Sequence, residues 1–146
     1  IKDGNGYYST YNSIENLLEL SDVSGWDIIS TGGLLKAGSM SLLGNRAAQS
    51  IERYNADKVF LSCKGIDVIK GVTESHDETA SVKQSMLESA KKVYLTVDSS
   101  KFDKVAFSII CPLSKIDVIV TDKKPDTKWL DTFKRLNIQC LYPKDI

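Results

Sequence analysis

Along this chain, short runs of Val, Ile, Leu and aromatic residues alternate with stretches whose apolar positions recur every three or four residues. That alternation predicts strands separated by helices. Gly6 to Thr10 reads as a short aromatic strand. Ser13 then caps a helix whose Ile14, Leu17 and Leu18, followed by Leu20 and Val23, mark a core face. Trp26 to Ser30 is the next strand, and a glycine-rich turn from Thr31 to Ser39 follows it. The spacing predicts a helix from about Leu42 to Tyr54, with Leu43, Ala47, Ile51 and Tyr54 on one stripe and Asn55 as its left-handed stop.

Lys58 to Cys63 forms an apolar strand, and Lys64 to His76 reads as a loop carrying Gly65 and Gly71. Ser75 and Glu78 have the spacing of a capping box, opening a helix with Val82, Met86, Leu87 and Ala90 inward. Further strands are expected at Val93 to Val97, Phe107 to Ile110, Ile116 to Val120 and Ile138 to Tyr142. A helix from Asp126 to Leu136 presents Trp129, Leu130 and Phe133 and stops at Asn137. Short aliphatic strands separated by helices call for parallel pairing with helices on both faces. Ligands in such sheets bind beyond the carboxyl ends of the strands. Four loops qualify: Asn12-Ser13, Gly32 to Ser39, Lys64 to Thr73, and Asp98 to Lys101.

Composition narrows the picture. At 146 residues the chain suits one domain spanning 1–146. Its 19 basic and 19 acidic residues cancel, which argues against this chain gripping nucleic acid by itself. No apolar run reaches the length of a membrane span and no signal peptide opens the chain. Cys63, Cys111 and Cys140 lie in or beside apolar runs with no C-x-x-C and no histidine at ligand spacing. They read as buried apolar residues of a reducing cytosol rather than as a metal site. Neither a metal nor a cofactor is called for.

The candidate chemistry is sparse. Gly33 and Gly38 stand at P-loop spacing, but Ser39-Met40 follows where Lys and then Ser or Thr are required, and G-x-G-x-x-G fails too. A nucleotide-hydrolysing site is therefore rejected. The glycines either bring backbone N–H groups close to an anion or simply serve a turn at positive φ. Lys83 by default is a solvated helix lysine, and His76 a surface cap. Asp98-Ser99-Ser100-Lys101 reads equally as an Asx-type turn and as an anion contact.

The order of motifs adds more. Thr31-Gly32-Gly33-Leu34-Leu35-Lys36-Ala37-Gly38-Ser39, Ala56 to Leu61, Gly65-Ile66-Asp67, Gly71-Val72-Thr73, Glu78 with Val82-Lys83 and Met86, Asp98 to Phe102, and Pro112 through Asp117 to Asp122 follow one another unbroken. In that order they resemble the C-terminal sensor domain of DeoR-family bacterial transcription regulators, from about Asn12 to Tyr142. The resemblance implies a three-layer, parallel-sheet α/β domain related in fold to ribose-5-phosphate isomerase. It also implies a cytoplasmic, homo-oligomeric regulator, with no enzymatic activity, whose effector is a phosphorylated sugar. Carried over by position, the effector site would draw on Asn12, Gly32, Gly33, Lys36, Gly65, Asp67, Thr73, Lys83 and Lys101. DNA would be bound only through an N-terminal winged helix-turn-helix. That domain, and the family's first strand with its phosphate loop, are expected to lie before Ile1.

Two substitutions depart from the family pattern. Tyr11 stands before Asn12-Ser13 in place of a usual Thr. Lys64 stands where members often carry Asp, so the paired acids of related isomerases are reduced to Asp67. That favours sensing over the alternative, a sugar-phosphate isomerase or deaminase. A domain that only oligomerises is the third reading.

Overall fold

The aliphatic runs do pair in parallel. In the computed structural model, which describes residues 2–3 and 6–143, a four-stranded all-parallel sheet runs in the order Gln139–Leu141, Val118–Val120, Ala90–Thr96, Ala56–Leu61. Its strands are β6 (Ala56–Leu61), β9 (Ala90–Thr96), β11 (Val118–Val120) and β12 (Gln139–Leu141). Helix α3 (Asp77–Glu88) connects β6 to β9, and α4 (Thr127–Arg135) connects β11 to β12. Leu61, Val93, Leu95 and Ile119 from the sheet share one core with Ala80 of α3 and with Trp129 and Phe133 of α4. Phe102 meets the Trp129 ring edge-on at 5.1 Å. This is the expected α/β architecture, an all-parallel sheet flanked by helices.

A second parallel pair, β2 (Gly6–Tyr11) with β3 (Trp26–Ser30), forms a separate sheet with the two-residue β1 (Lys2–Asp3), crossed over by α1 (Ile14–Leu20). Ser13 caps α1 as expected, its hydroxyl accepting from the Asn16 N–H at 3.3 Å. The expected core face of α1 is not realised: none of its residues is buried, and Leu18 is 66% exposed. Register partners Tyr7 and Trp26 lean together at 5.7 Å on the same lightly packed sheet.

Two predicted irregular stretches are hairpins. The glycine-rich segment contains β4 (Leu34–Lys36) paired with β5 (Ser41–Leu43), so α2 starts later than predicted and spans only Asn45–Ile51. Periodicity misled here, because Leu42 and Leu43 are both buried and a short strand end looks like a helical turn. Asn55 is not left-handed; α2 closes at Glu52. The Lys64–His76 stretch folds as β7 (Gly65–Asp67) against β8 (Gly71–Glu74), and β10 (Ser108–Cys111) joins β8 antiparallel. Gly71 closes that hairpin at φ +78°, where an added Cβ would lie 2.3 Å from the Cys111 carbonyl oxygen.

The expected capping box does not form. His76 occupies the N-cap of α3 without a side-chain bond, and Asp77 and Glu78 face the helix dipole instead. Helix α4 follows its prediction closely: Asp126 accepts from the Trp129 N–H at 3.0 Å, and Asn137 stops the helix at φ +57°.

Candidate functional site

Beyond the carboxyl end of β6 the chain reaches Ser62, Cys63 and Lys64, and α3 lays Lys83 over that point. The Lys83 ammonium donates to the Ser62 carbonyl at 2.8 Å and to Glu74 Oε2 at 2.6 Å. The side chains of this pair are 14% and 4% exposed. Lys83 is thus no solvated helix lysine. Its partner is Glu74 on β8, a residue that spacing along α3 could not reveal, and Glu78 pairs with Lys36 at 3.6 Å instead. Glu74 Oε1 also accepts the Ser75 N–H at 2.9 Å.

Cys63, between Ser62 and Lys64, is buried. Burial pushes its thiol up to about 11, opposed by the Lys83 charge and the Gly65 N–H, raised by Glu74, and lowered again by Lys101. Strand β7, which begins at Gly65, pairs with β8, which ends at Glu74, and a bridge from Ile66 to Phe102 sets the segment that follows Lys101 alongside β7.

The neighbouring loop is tied down. Asp98 accepts the Ser100 N–H at 2.9 Å, closing an Asx-type turn. Lys101 stands 3.6 Å from Asp98 with its side chain 30% exposed. Asp122, after β11, accepts from the Ser99 N–H at 2.6 Å and from the Ser99 hydroxyl at 3.3 Å.

Asn12, Gly32, Gly33 and Lys36 form a second group, organised by β5. The Asn12 carbonyl accepts the Leu42 N–H at 2.7 Å, and Ser13 bridges Ser41. Gly33, at φ +110°, passes so close to β5 and α2 that a Cβ would sit 2.5 Å from the Leu43 carbonyl oxygen and 3.0 Å from the Ala47 Cβ. Only glycine fits there. The two groups meet through packing: Leu43, Ala47 and Ile51 share a cluster with Val82, the residue before Lys83.

Asp67 and Thr73 have structural partners. Asp67 Oδ1 caps the hairpin tip, accepting from the N–H groups of Ile69 and Lys70 at 2.9 and 2.7 Å. Those bonds, Lys70's first, hold its carboxyl below the usual range. The fully buried Thr73 hydroxyl donates to the Gly65 carbonyl at 3.1 Å and accepts the Ala106 N–H at 2.8 Å. Among the described residues no helix is long and apolar enough to cross a membrane, and no cluster of His, Cys, Asp and Glu could hold a metal.

The fold is an α/β domain with a buried lysine–glutamate pair beyond the carboxyl end of a parallel strand. The family model of the DeoR C terminal sensor domain matches residues 10–123, and the chain belongs to that family. It is 39% identical over 115 residues to the uncharacterized HTH-type transcriptional regulator YulB of Bacillus subtilis, covering 79% of this chain and 45% of that one. It is 32% identical over 130 residues to the HTH-type transcriptional repressor GlcR of the same organism, covering 89% and 50%. The L-fucose operon activator of Haemophilus influenzae is 34% identical over 116 residues, covering 79% and 47%. The chain spans about half the length of the curated relatives it matches. Its family is one of regulatory sensors, not of enzymes.

Proposed function

We propose that residues 1–146 act as one effector-sensing domain that binds a phosphorylated sugar, or a derivative of one, in a cytoplasmic transcription regulator. Occupancy would set the operator affinity of a helix-turn-helix domain on the same polypeptide, in a homo-oligomer. The observation that carries this reading is Lys83, held by Ser62 and Glu74 at the carboxyl end of β6, with the Lys101 segment bridged to β7 through Phe102. Gly33 and Asn12 supply a second wall through β5. The names of relatives, among them an L-fucose operon activator, support a sugar as the effector class.

The isomerase or deaminase alternative needs a base paired with an acid. Here Lys64 is exposed and Asp67 is occupied in a turn, which favours sensing. Calorimetric titration with ribose 5-phosphate, glucose 6-phosphate, fructose 1-phosphate and fructose 6-phosphate tests the proposal. Binding of at least one, weakened by Lys83→Ala and unchanged by Lys128→Ala, supports it. No binding up to the solubility limit, or turnover lost on Asp67→Asn, refutes it.

A further inference from the structure

Lys83 carries a formal charge that its surroundings cancel. Glu74 lies 2.6 Å from the ammonium, at the short end of charge-assisted hydrogen bonds, and both side chains are largely withdrawn from water. A phosphate dianion approaching this point meets the attraction of Lys83 offset by the repulsion of Glu74. Two of the three ammonium N–H groups already have acceptors, Glu74 and the Ser62 carbonyl. What the pair offers a newcomer is one N–H donor beside carboxylate lone pairs. That combination suits a hydroxyl, which donates and accepts at once.

Lys101 is less confined: its carboxylate partner stands 3.6 Å away, and about a third of its side chain is open. We propose that Glu74 is a specificity-determining residue, making the Lys83 position a reader of a sugar hydroxyl and leaving the phosphate to the Lys101 side of the site. This rests on the reading that the domain binds a phosphorylated sugar. It adds to that reading a division of labour between the two lysines, imposed by a glutamate on another element.

The experiment titrates the four sugar phosphates named above, and separately inorganic phosphate followed by phosphorus NMR, against three variants. Glu74→Gln leaves Lys83 as a net cation and is expected to raise inorganic phosphate affinity about tenfold. Glu74→Gln/Lys83→Met keeps the position neutral; inorganic phosphate should bind it as it binds the parent, while the sugar phosphate weakens about tenfold. Lys101→Met should weaken inorganic phosphate and sugar phosphate together. Thermal melts of each variant establish folding, and if Glu74→Gln does not fold, the neutral double variant decides alone. The proposal is overturned if the double variant loses inorganic phosphate along with the sugar phosphate, or if a folded Glu74→Gln leaves phosphate affinity unchanged. Failure of the parent to bind any of the four sugar phosphates overturns the functional reading as well, which separates the two failures.

Discussion

Replacing Lys83 by Met tests how far the Glu74 pair is structural. The substitution keeps most of the side-chain volume and removes the ammonium, leaving the Glu74 carboxylate 4% exposed with, among the described residues, only the Ser75 N–H to satisfy it. Breaking a buried pair in this way costs about 3–5 kcal/mol, because an uncompensated charge remains inside. The 14% exposure of Lys83 lets some water reach the vacated position, so the low end applies, about 3 kcal/mol. For a chain of this size that lowers Tm by roughly 6–12 °C.

Urea unfolding followed by far-UV circular dichroism measures it, with the midpoint moving and the slope unchanged. Glu74→Gln/Lys83→Met removes the stranded charge and should recover to within about 1 kcal/mol of the parent. The exposed Lys36–Glu78 contact at 3.6 Å is the internal control, since Lys36→Met should cost no more than about 1 kcal/mol. If Lys83→Met loses less than that control, or the double variant falls as far as the single, the pair is not the buried anchor described above.

Gly33→Ala should destabilise by about 1–3 kcal/mol through strain at positive φ and the clash with Leu43, and proteolysis should then cut the β4–β5 hairpin first. Burial raises the Cys63 thiol to about 11 and Cys111 to about 12. Both should therefore resist iodoacetamide at pH 8 in the native protein and react in urea, as intact mass would show. The carboxyls of Asp67, Asp98, Asp103 and Asp122 are all held below their usual range by hydrogen bonds. Depressed carboxyls stabilise the fold above the unfolded value and lose that effect as pH falls through the folded one. The urea midpoint should thus stay level from pH 7 to 5 and drop below about pH 4. A midpoint that rises on acidification would contradict the assignment.

Much of the fold was legible because the strands of the parallel sheet are short and aliphatic and the ends of α4 use specific residues, Asp126 at its start and Asn137 at its stop. The hairpins were not. Ser41 to Leu43 and Gly65 to Asp67 are three-residue strands, too short for a period of two to stand out against a helical turn. The α1 face failed for another reason: periodicity says which residues share a face, not whether anything covers it. At the site, the sequence pointed to Lys83 but not to its condition. Glu74 is nine positions away on a different element, so only tertiary structure joins them, and a sequence-local search stops at Glu78.

The two tryptophans lie in different parts of the fold, Trp129 on α4 in the main core and Trp26 on β3, and this gives the molecule a pair of built-in optical reporters. Trp129 is 1% exposed in the main core, whereas Trp26 is 41% exposed beside Tyr7 on the sheet carrying α1. Iodide should quench the second and spare the first. That sheet shares no strand pairing with the four-stranded one and its helix α1 buries none of its residues, so it should open at lower energetic cost than the main core. A ligand reaching from the Asn12 loop to Lys83 would span both parts. Its arrival would then register as two fluorescence transitions collapsing into one, so that occupancy is converted into cooperativity before any atom has moved far.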